Sequence, residues 1–268
     1  MSFGAQSMNL KFDFGLASRG NNIFVKYYSL ADKFELSKRC ETDCFFGVFD
    51  GYFSPNIANF LAESLPGIII SQIGWDKNLD NITNKIQESL KIADQYAQEF
   101  KYECSAALFG VMLDNILYIA HVGDARIIIA ADKIWQSREH IFQEPTERER
   151  FINVDGHKNI EKELLCCYNS VVSRTIGGYP KRPALISIPQ VSKIENLEDI
   201  KYILIASEAF WSIISSQQAV KLVESFLYST LTPDEVANRL INAAVGWGCD
   251  RAMGLIIAKP DKRFCTIL

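Results

Sequence analysis

The chain has 268 residues, 48% of them hydrophobic and 12% aromatic, enough for a large core. With 28 basic and 32 acidic residues its formal net charge is -4, which argues against a broad nucleic-acid surface. No apolar run approaches the ~20 residues of a membrane span, and the opening MSFGAQSMNLKFDFG has neither the charged start nor the apolar stretch of a secretory signal.

In chain order, the first strong element is a buried strand over Cys44–Phe49, ending in Asp50-Gly51-Tyr52. Ser54 is a good N-cap and Pro55 suits a first helical position. Ile57, Phe60, Leu61, Leu65 and Ile68 then follow at helical spacing, with Pro66-Gly67 expected to end the run early. A second helix is predicted over Leu79 to Lys101, on the stripe Ile82, Ile86, Leu90, Ala93, Ala97 and Phe100. Residues 106–131, AALFGVMLDNILYIAHVGDARIIIAA, read as an antiparallel meander, with Asp114-Asn115 as a two-residue turn and a third strand after the Gly123–Arg126 corner. Asp132 to Asn169 is charged and reads as surface structure.

Tyr202–Ala206 is a further buried strand, ending in Ser207-Glu208. Two helices start with capping-box patterns, Ser215 with Gln218 and Thr232-Pro233 with Glu235, and a last strand covers Met253–Ala258 after Asp250. The alternation of strand and helix, without repeats or linkers, predicts one mixed domain over 1–268 with a short tail at 259–268. The seven cysteines (Cys40, Cys44, Cys104, Cys166, Cys167, Cys249 and Cys265) form no C-x-x-C pair. None of the three histidines (His121, His140 and His157) sits at zinc-finger spacing. Free thiols in a reducing, cytoplasmic compartment are expected. His121 and the Phe210-Trp211 pair read as structural.

Four carboxylates stand at strand borders: Asp50, Asp124, Glu208 and Asp250. Oxygen ligands gathered from strand ends suit a hard cation such as magnesium or manganese, and two such ions can activate water against a phosphoryl group. Taken singly, each acid is also an ordinary turn residue, and spacing does not prove convergence.

Several segments, in order, resemble the metal-dependent serine/threonine phosphatases of the 2C type. Where that family shows FFGVFDGHGG this chain has FFGVFDGYFS at 45–54, and its V-G-D-S-R appears as Val122-Gly123-Asp124-Ala125-Arg126. The T-R-A-L-G-D motif appears as Ser173 to Gly178. The strand-end S-D-G-L-W appears as Ser207-Glu208-Ala209-Phe210-Trp211, and the final S-x-D-N as Gly248-Cys249-Asp250-Arg251. The resemblance implies an α+β fold, a four-layer α-β-β-α sandwich of two antiparallel sheets with a binuclear metal centre at one edge. It implies metal ligation by Asp50, the Gly51 carbonyl, Asp124, Glu208 and Asp250, with Arg19 as the phosphate-binding arginine.

The departures from the family pattern point the other way. Gly20 to Ala31 lacks the family's Glu-Asp, Glu208-Ala209 replaces Asp-Gly, Tyr52 replaces a histidine acid, Arg251 replaces Asn and Gly178 replaces Asp. A phenol with a pKa near ~10 is a poorer acid at neutral pH than an imidazole near ~6.5. These changes around one centre imply a pseudophosphatase with weak or absent Mg or Mn, acting as a regulatory or scaffolding module for a kinase or phosphoprotein. The alternative is a low-activity Mg/Mn-dependent protein phosphatase. The ending Cys265-Thr266-Ile267-Leu268, after Lys262-Arg263, fits a C-a-a-X prenylation pattern and so an expected membrane association through Cys265.

Overall fold

The computed structural model describes residues 10–34, 42–74, 81–153, 172–183 and 185–261. Two antiparallel sheets lie face to face. One has the order β1 (Phe12–Arg19), β11 (Met253–Pro260), β10 (Tyr202–Ala206), β6 (Arg126–Ala130), β7 (Ile134–Gln136). The other has the order β2 (Ile23–Ser29), β3 (Cys44–Gly51), β4 (Cys104–Leu113), β5 (Ile116–Val122), β9 (Gln190–Ile194), with β8 (Ile176–Gly177) beside β4. The helices α2 (Asn56–Ile73) and α3 (Ile82–Tyr96) cover the second sheet; α6 (Ser216–Tyr228) and α7 (Pro233–Gly246) cover the first. Three shorter helices complete the described set: α1 (Leu30–Phe34), α4 (Pro145–Ile152) and α5 (Glu208–Trp211). The result is the expected four-layer α-β-β-α sandwich.

The continuous apolar run of β3 is explained by burial on both faces. Side chains alternate across a strand. Phe45 and Phe49 enter the core under α2 and α3, while Cys44, Phe46 and Val48 enter the core between the sheets. β10 and β11 divide in the same way: Leu204 and Leu255 lie under α6 and α7, Ile205 and Ile256 between the sheets.

Three expectations are corrected. The α2 helix does not stop at Pro66 but runs to Ile73. Pro66 has no N–H for the Ala62 carbonyl, and the Tyr28 hydroxyl donates to that carbonyl instead, at 3.3 Å. The same helix starts one residue late: Pro55 is the cap, and Ser54 Oγ accepts from Asn56 N–H at 3.2 Å. The supposed three-stranded meander is a hairpin plus a crossing. β4 and β5 pair around Asp114 (φ 47) and Asn115 (φ 62), but β6 pairs with β10 in the other sheet. The chain changes sheets at Gly123, whose φ of 109 a residue with a Cβ rarely adopts.

Both expected capping boxes are present, at Ser215 with Gln218 and at Thr232 with Glu235. The 132–153 region also departs from the expected surface stretch: it carries β7 and α4 and buries His140, Glu147 and Phe151. Leu79 and Lys262 to Leu268, including Cys265, lie outside the described residues, as do Cys166 and Cys167. Among the described residues no helix is long and apolar enough to cross a membrane.

Candidate functional site

Antiparallel pairing brings five chain positions to one edge of the sandwich: the ends of β3, β5 and β10 and the starts of β6 and β11. They surround a cavity of about 700 Å³ whose lining includes Asn22, Asp50, Gly51, Tyr52, Asp124, Arg126, Glu139, Glu208, Trp211, Ser212 and Arg251.

Asp50 is paired through its backbone with Ile23 on one side and Ala106 on the other, so its position is set by two ladders. Among the described residues nothing donates a hydrogen bond to its carboxylate. Burial, reinforced by Asp124 and Glu208, holds that carboxyl well above the usual range, with Arg251 opposing. The Gly51 backbone makes two bonds to one residue: its N–H donates to the Asn22 carbonyl at 2.9 Å, and its carbonyl accepts from Asn22 Nδ2 at 2.5 Å. A side chain at position 51 would meet the Ser54 carbonyl oxygen at 2.3 Å, so only glycine fits.

Tyr52 hydroxyl donates to Asp124 Oδ1 at 2.6 Å. Burial first, then the Asp124 and Asp50 charges, raises the phenol well above its ordinary value. It therefore stays a donor and is a still weaker acid than the sequence suggested. Asp124 is buried at the Gly123 corner. Burial and Glu208 push its carboxyl up to about 7, against the Tyr52 hydrogen bond.

Glu208 opens α5, after Ser207. The Ser207 Oγ accepts from Gly254 N–H at 3.1 Å and ties this strand end to β11. Both Glu208 oxygens face one guanidinium: Arg251 Nη1 donates to Oε2 at 2.5 Å and Nη2 to Oε1 at 3.3 Å. Arg251 Nη2 also donates to Ser212 Oγ at 2.5 Å. Ala209, which stands for a glycine in the related motif, is helical and buried, so no glycine-type backbone angle is needed there.

Two expected participants are elsewhere. Asp250 is exposed and does not line the cavity; its neighbour Arg251 turns inward in its place. The turn before β11 presents only one of the two side chains to the centre, and it is the cation. Arg19 is exposed and outside the cavity, where Nη1 donates to the Cys249 carbonyl at 3.2 Å and braces that same turn. Asn22, Arg126, Glu139 and Ser212 had no role assigned from the sequence, and Trp211, expected to be purely structural, also lines the cavity. Arg126 donates to Glu139 Oε1 (2.7 Å from Nη2) and to Ser216 Oγ (2.6 Å), and lies 5.0 Å over the Trp211 ring. Its one available signal was its place at the end of the Val122–Arg126 motif.

Residues 26–253 match the family profile of Protein phosphatase 2C. The chain belongs to that family. Its phosphatase 2C relatives include "Probable protein phosphatase 2C member 13, mitochondrial" of Oryza sativa subsp. japonica, 25% identical over 76% of this chain and 56% of the relative. "Probable protein phosphatase 2C 11" of Arabidopsis thaliana is 24% identical over 96% of this chain and 69% of the relative. The chain spans about half the length of several of the curated relatives it matches. The fold is shared with the serine-threonine phosphatase 2C of Toxoplasma gondii, with a TM-score of 0.74, 16% identity and 96% of both chains covered. It is also shared with a C. elegans sex determining protein, with a TM-score of 0.73, 15% identity, and 96% of this chain and 66% of that one covered.

The 2C family normally uses magnesium or manganese, and a hard divalent cation needs free oxygen ligands around it. Here Gly51 O is held by Asn22, Asp124 by Tyr52 and Glu208 by Arg251. Among the described residues no three His, Cys, Asp or Glu side chains are grouped to hold an ion. As they stand, these side chains do not form a two-ion ligand set.

Proposed function

We propose that this chain is a catalytically impaired 2C-type phosphatase-like module. It acts by binding a signalling partner, a kinase or a phosphoprotein, and holds magnesium or manganese weakly or not at all. One observation supports this above the others: three oxygen groups at the centre already accept hydrogen bonds from the protein's own donors, Asn22, Tyr52 and Arg251. Without an ion-activated water the site lacks its nucleophile, and Tyr52, raised in pKa and turned to Asp124, is no replacement for an imidazole acid. What remains is a polar cavity at the edge of a rigid sandwich, suited to binding.

A low-activity Mg/Mn-dependent serine/threonine phosphatase is the second reading. It is favoured by the survival of Asp50, Asp124 and Glu208 around one cavity. Turnover of a phosphoserine peptide in excess manganese separates the two. The first reading expects no rate above that of Asp50→Ala; steady turnover that Asp50→Ala abolishes contradicts it.

A further inference from the structure

We propose that Arg251 is the resident cation of this centre, a tethered guanidinium that keeps divalent ions out. The inference rests on the reading of the site as an impaired 2C centre and says which residue impairs it most.

The argument is geometric. Arg251 faces Glu208 with both terminal nitrogens, in the fork arrangement that guanidinium makes with carboxylate, and anchors on Ser212 Oγ. Asp50 lines the same cavity, so one positive group stands in the space shared by the carboxylates that come from β3 and from the start of α5. The backbone delivers it to this place: Arg251 lies two residues before β11, whose register with β10 is fixed by Ala206↔Leu255 and whose Gly254 N–H is tied to Ser207.

The other two substitutions are weaker obstacles. Asn22 and Tyr52 are neutral, and each occupies a single lone-pair direction of an oxygen that has two. Arg251 takes one lone-pair direction on each Glu208 oxygen and adds a full positive charge. A divalent ion must displace a competitor that is present at intramolecular concentration, and must then bear its repulsion. The Arg251 and Glu208 side chains are 51% and 35% exposed, so the pair is a modest restraint on folding even while it is an effective competitor.

The test is a manganese titration of the full chain, read by the EPR signal of free Mn(II) and by calorimetry. Arg251→Met removes the charge and offers no ligand. It is expected to bind manganese at least ~10-fold more tightly than the wild type, because a tethered competitor is gone. Arg251→Lys, which keeps the charge, is expected to bind as weakly as the wild type. Adding Asp50→Asn to Arg251→Met is expected to abolish the gain. Arg251→Gln serves as a second neutral variant should Arg251→Met fold poorly by circular dichroism. The proposal is overturned if neither neutral variant binds more tightly than the wild type, or if the gain survives Asp50→Asn. These outcomes are separate from the impaired-phosphatase reading, which stands or falls on wild-type phosphopeptide turnover.

Discussion

Two arginine–carboxylate assemblies in this molecule use the same chemistry for opposite ends. Glu147, on α4, is buried, with 4% of its side chain exposed. Its oxygens accept from Arg174 Nε at 3.0 and 3.1 Å and from Arg174 Nη2, from Arg150 Nη2 at 3.2 Å and from Ser173 Oγ at 2.7 Å. Burial alone would raise this carboxyl; the Arg174 and Ser173 hydrogen bonds outweigh it and leave Glu147 below its ordinary value. The two arginines also donate to the Ser173 and Ile188 carbonyls, so the network fastens α4 to the 172–188 segment. The Glu208–Arg251 pair, in contrast, is open to water and fastens little. A buried charge with its partners satisfied is hard to alter without loss of the fold. An exposed pair is free to change, and a change at such a site can alter chemistry while leaving the fold intact.

The difference can be broken most forcefully at Glu147. Glu147→Ala takes the shared acceptor away from two half-buried arginines and is expected to cost about 3–5 kcal/mol of unfolding free energy. Urea denaturation would measure it; a loss below about 1 kcal/mol would show that the network is dispensable.

The buried side also carries a pH dependence that the exposed pair does not. His121 stacks on His140 at 4.0 Å between ring centroids, and its Nε2–H donates to the Arg138 carbonyl at 2.7 Å. Burial lowers His121 to about 4, with the Arg138 carbonyl opposing, Arg174 assisting and Glu147 opposing; burial, His121 and the Arg174 and Arg150 charges also lower His140. A base depressed in the fold takes up its proton more readily when unfolded, so stability is full above the unfolded value of ~6.5 and falls as pH drops toward about 4. Asp50 and Asp124, both raised in the fold, contribute with the opposite sign over the same window, so the histidine share is read as a difference: His121→Gln, which can still donate to the Arg138 carbonyl, should lose less melting temperature than the wild type between about pH 6.5 and about pH 4. An unchanged slope in the variant would place the acid sensitivity elsewhere.

Smaller effects sharpen the contrast from the other side. Tyr28→Phe removes the donor that Pro66 leaves the Ala62 carbonyl needing, at an expected cost of about 1 kcal/mol. Arg251→Met should shift the unfolding free energy by less than about 1 kcal/mol, the ordinary worth of an exposed pair. A shift there as large as that at Glu147→Ala would erase the distinction between the two assemblies.

Much of the fold was legible in local sequence. The Asp114-Asn115 hairpin, the two capping boxes and the two-faced strands β3 and β10 each follow from residues within a few positions of one another. The misreadings share a cause, a partner distant in sequence. Pro66 breaks a helix unless something supplies the missing donor, and Tyr28 does so from 38 residues earlier. β6 looks like the next strand of a meander until β10 claims it. At the site, the missing carboxylates near Asn22 were visible as a loss, but the amide bond from Asn22 to Gly51 was not. Position 251 was legible as an arginine near a cation site; only the structure shows that it points inward while Asp250 does not.

On the function proposed above, Asn22, Tyr52 and Arg251 hold the oxygens that would otherwise take the family's ions. A crystal structure of the full chain grown in millimolar manganese, with an anomalous difference map, tests it most directly. No manganese peak is expected among Asp50, Gly51 and Glu208, with Arg251 still on Glu208. Two ions bridged by Asp50, with Arg251 displaced to solvent, would contradict it.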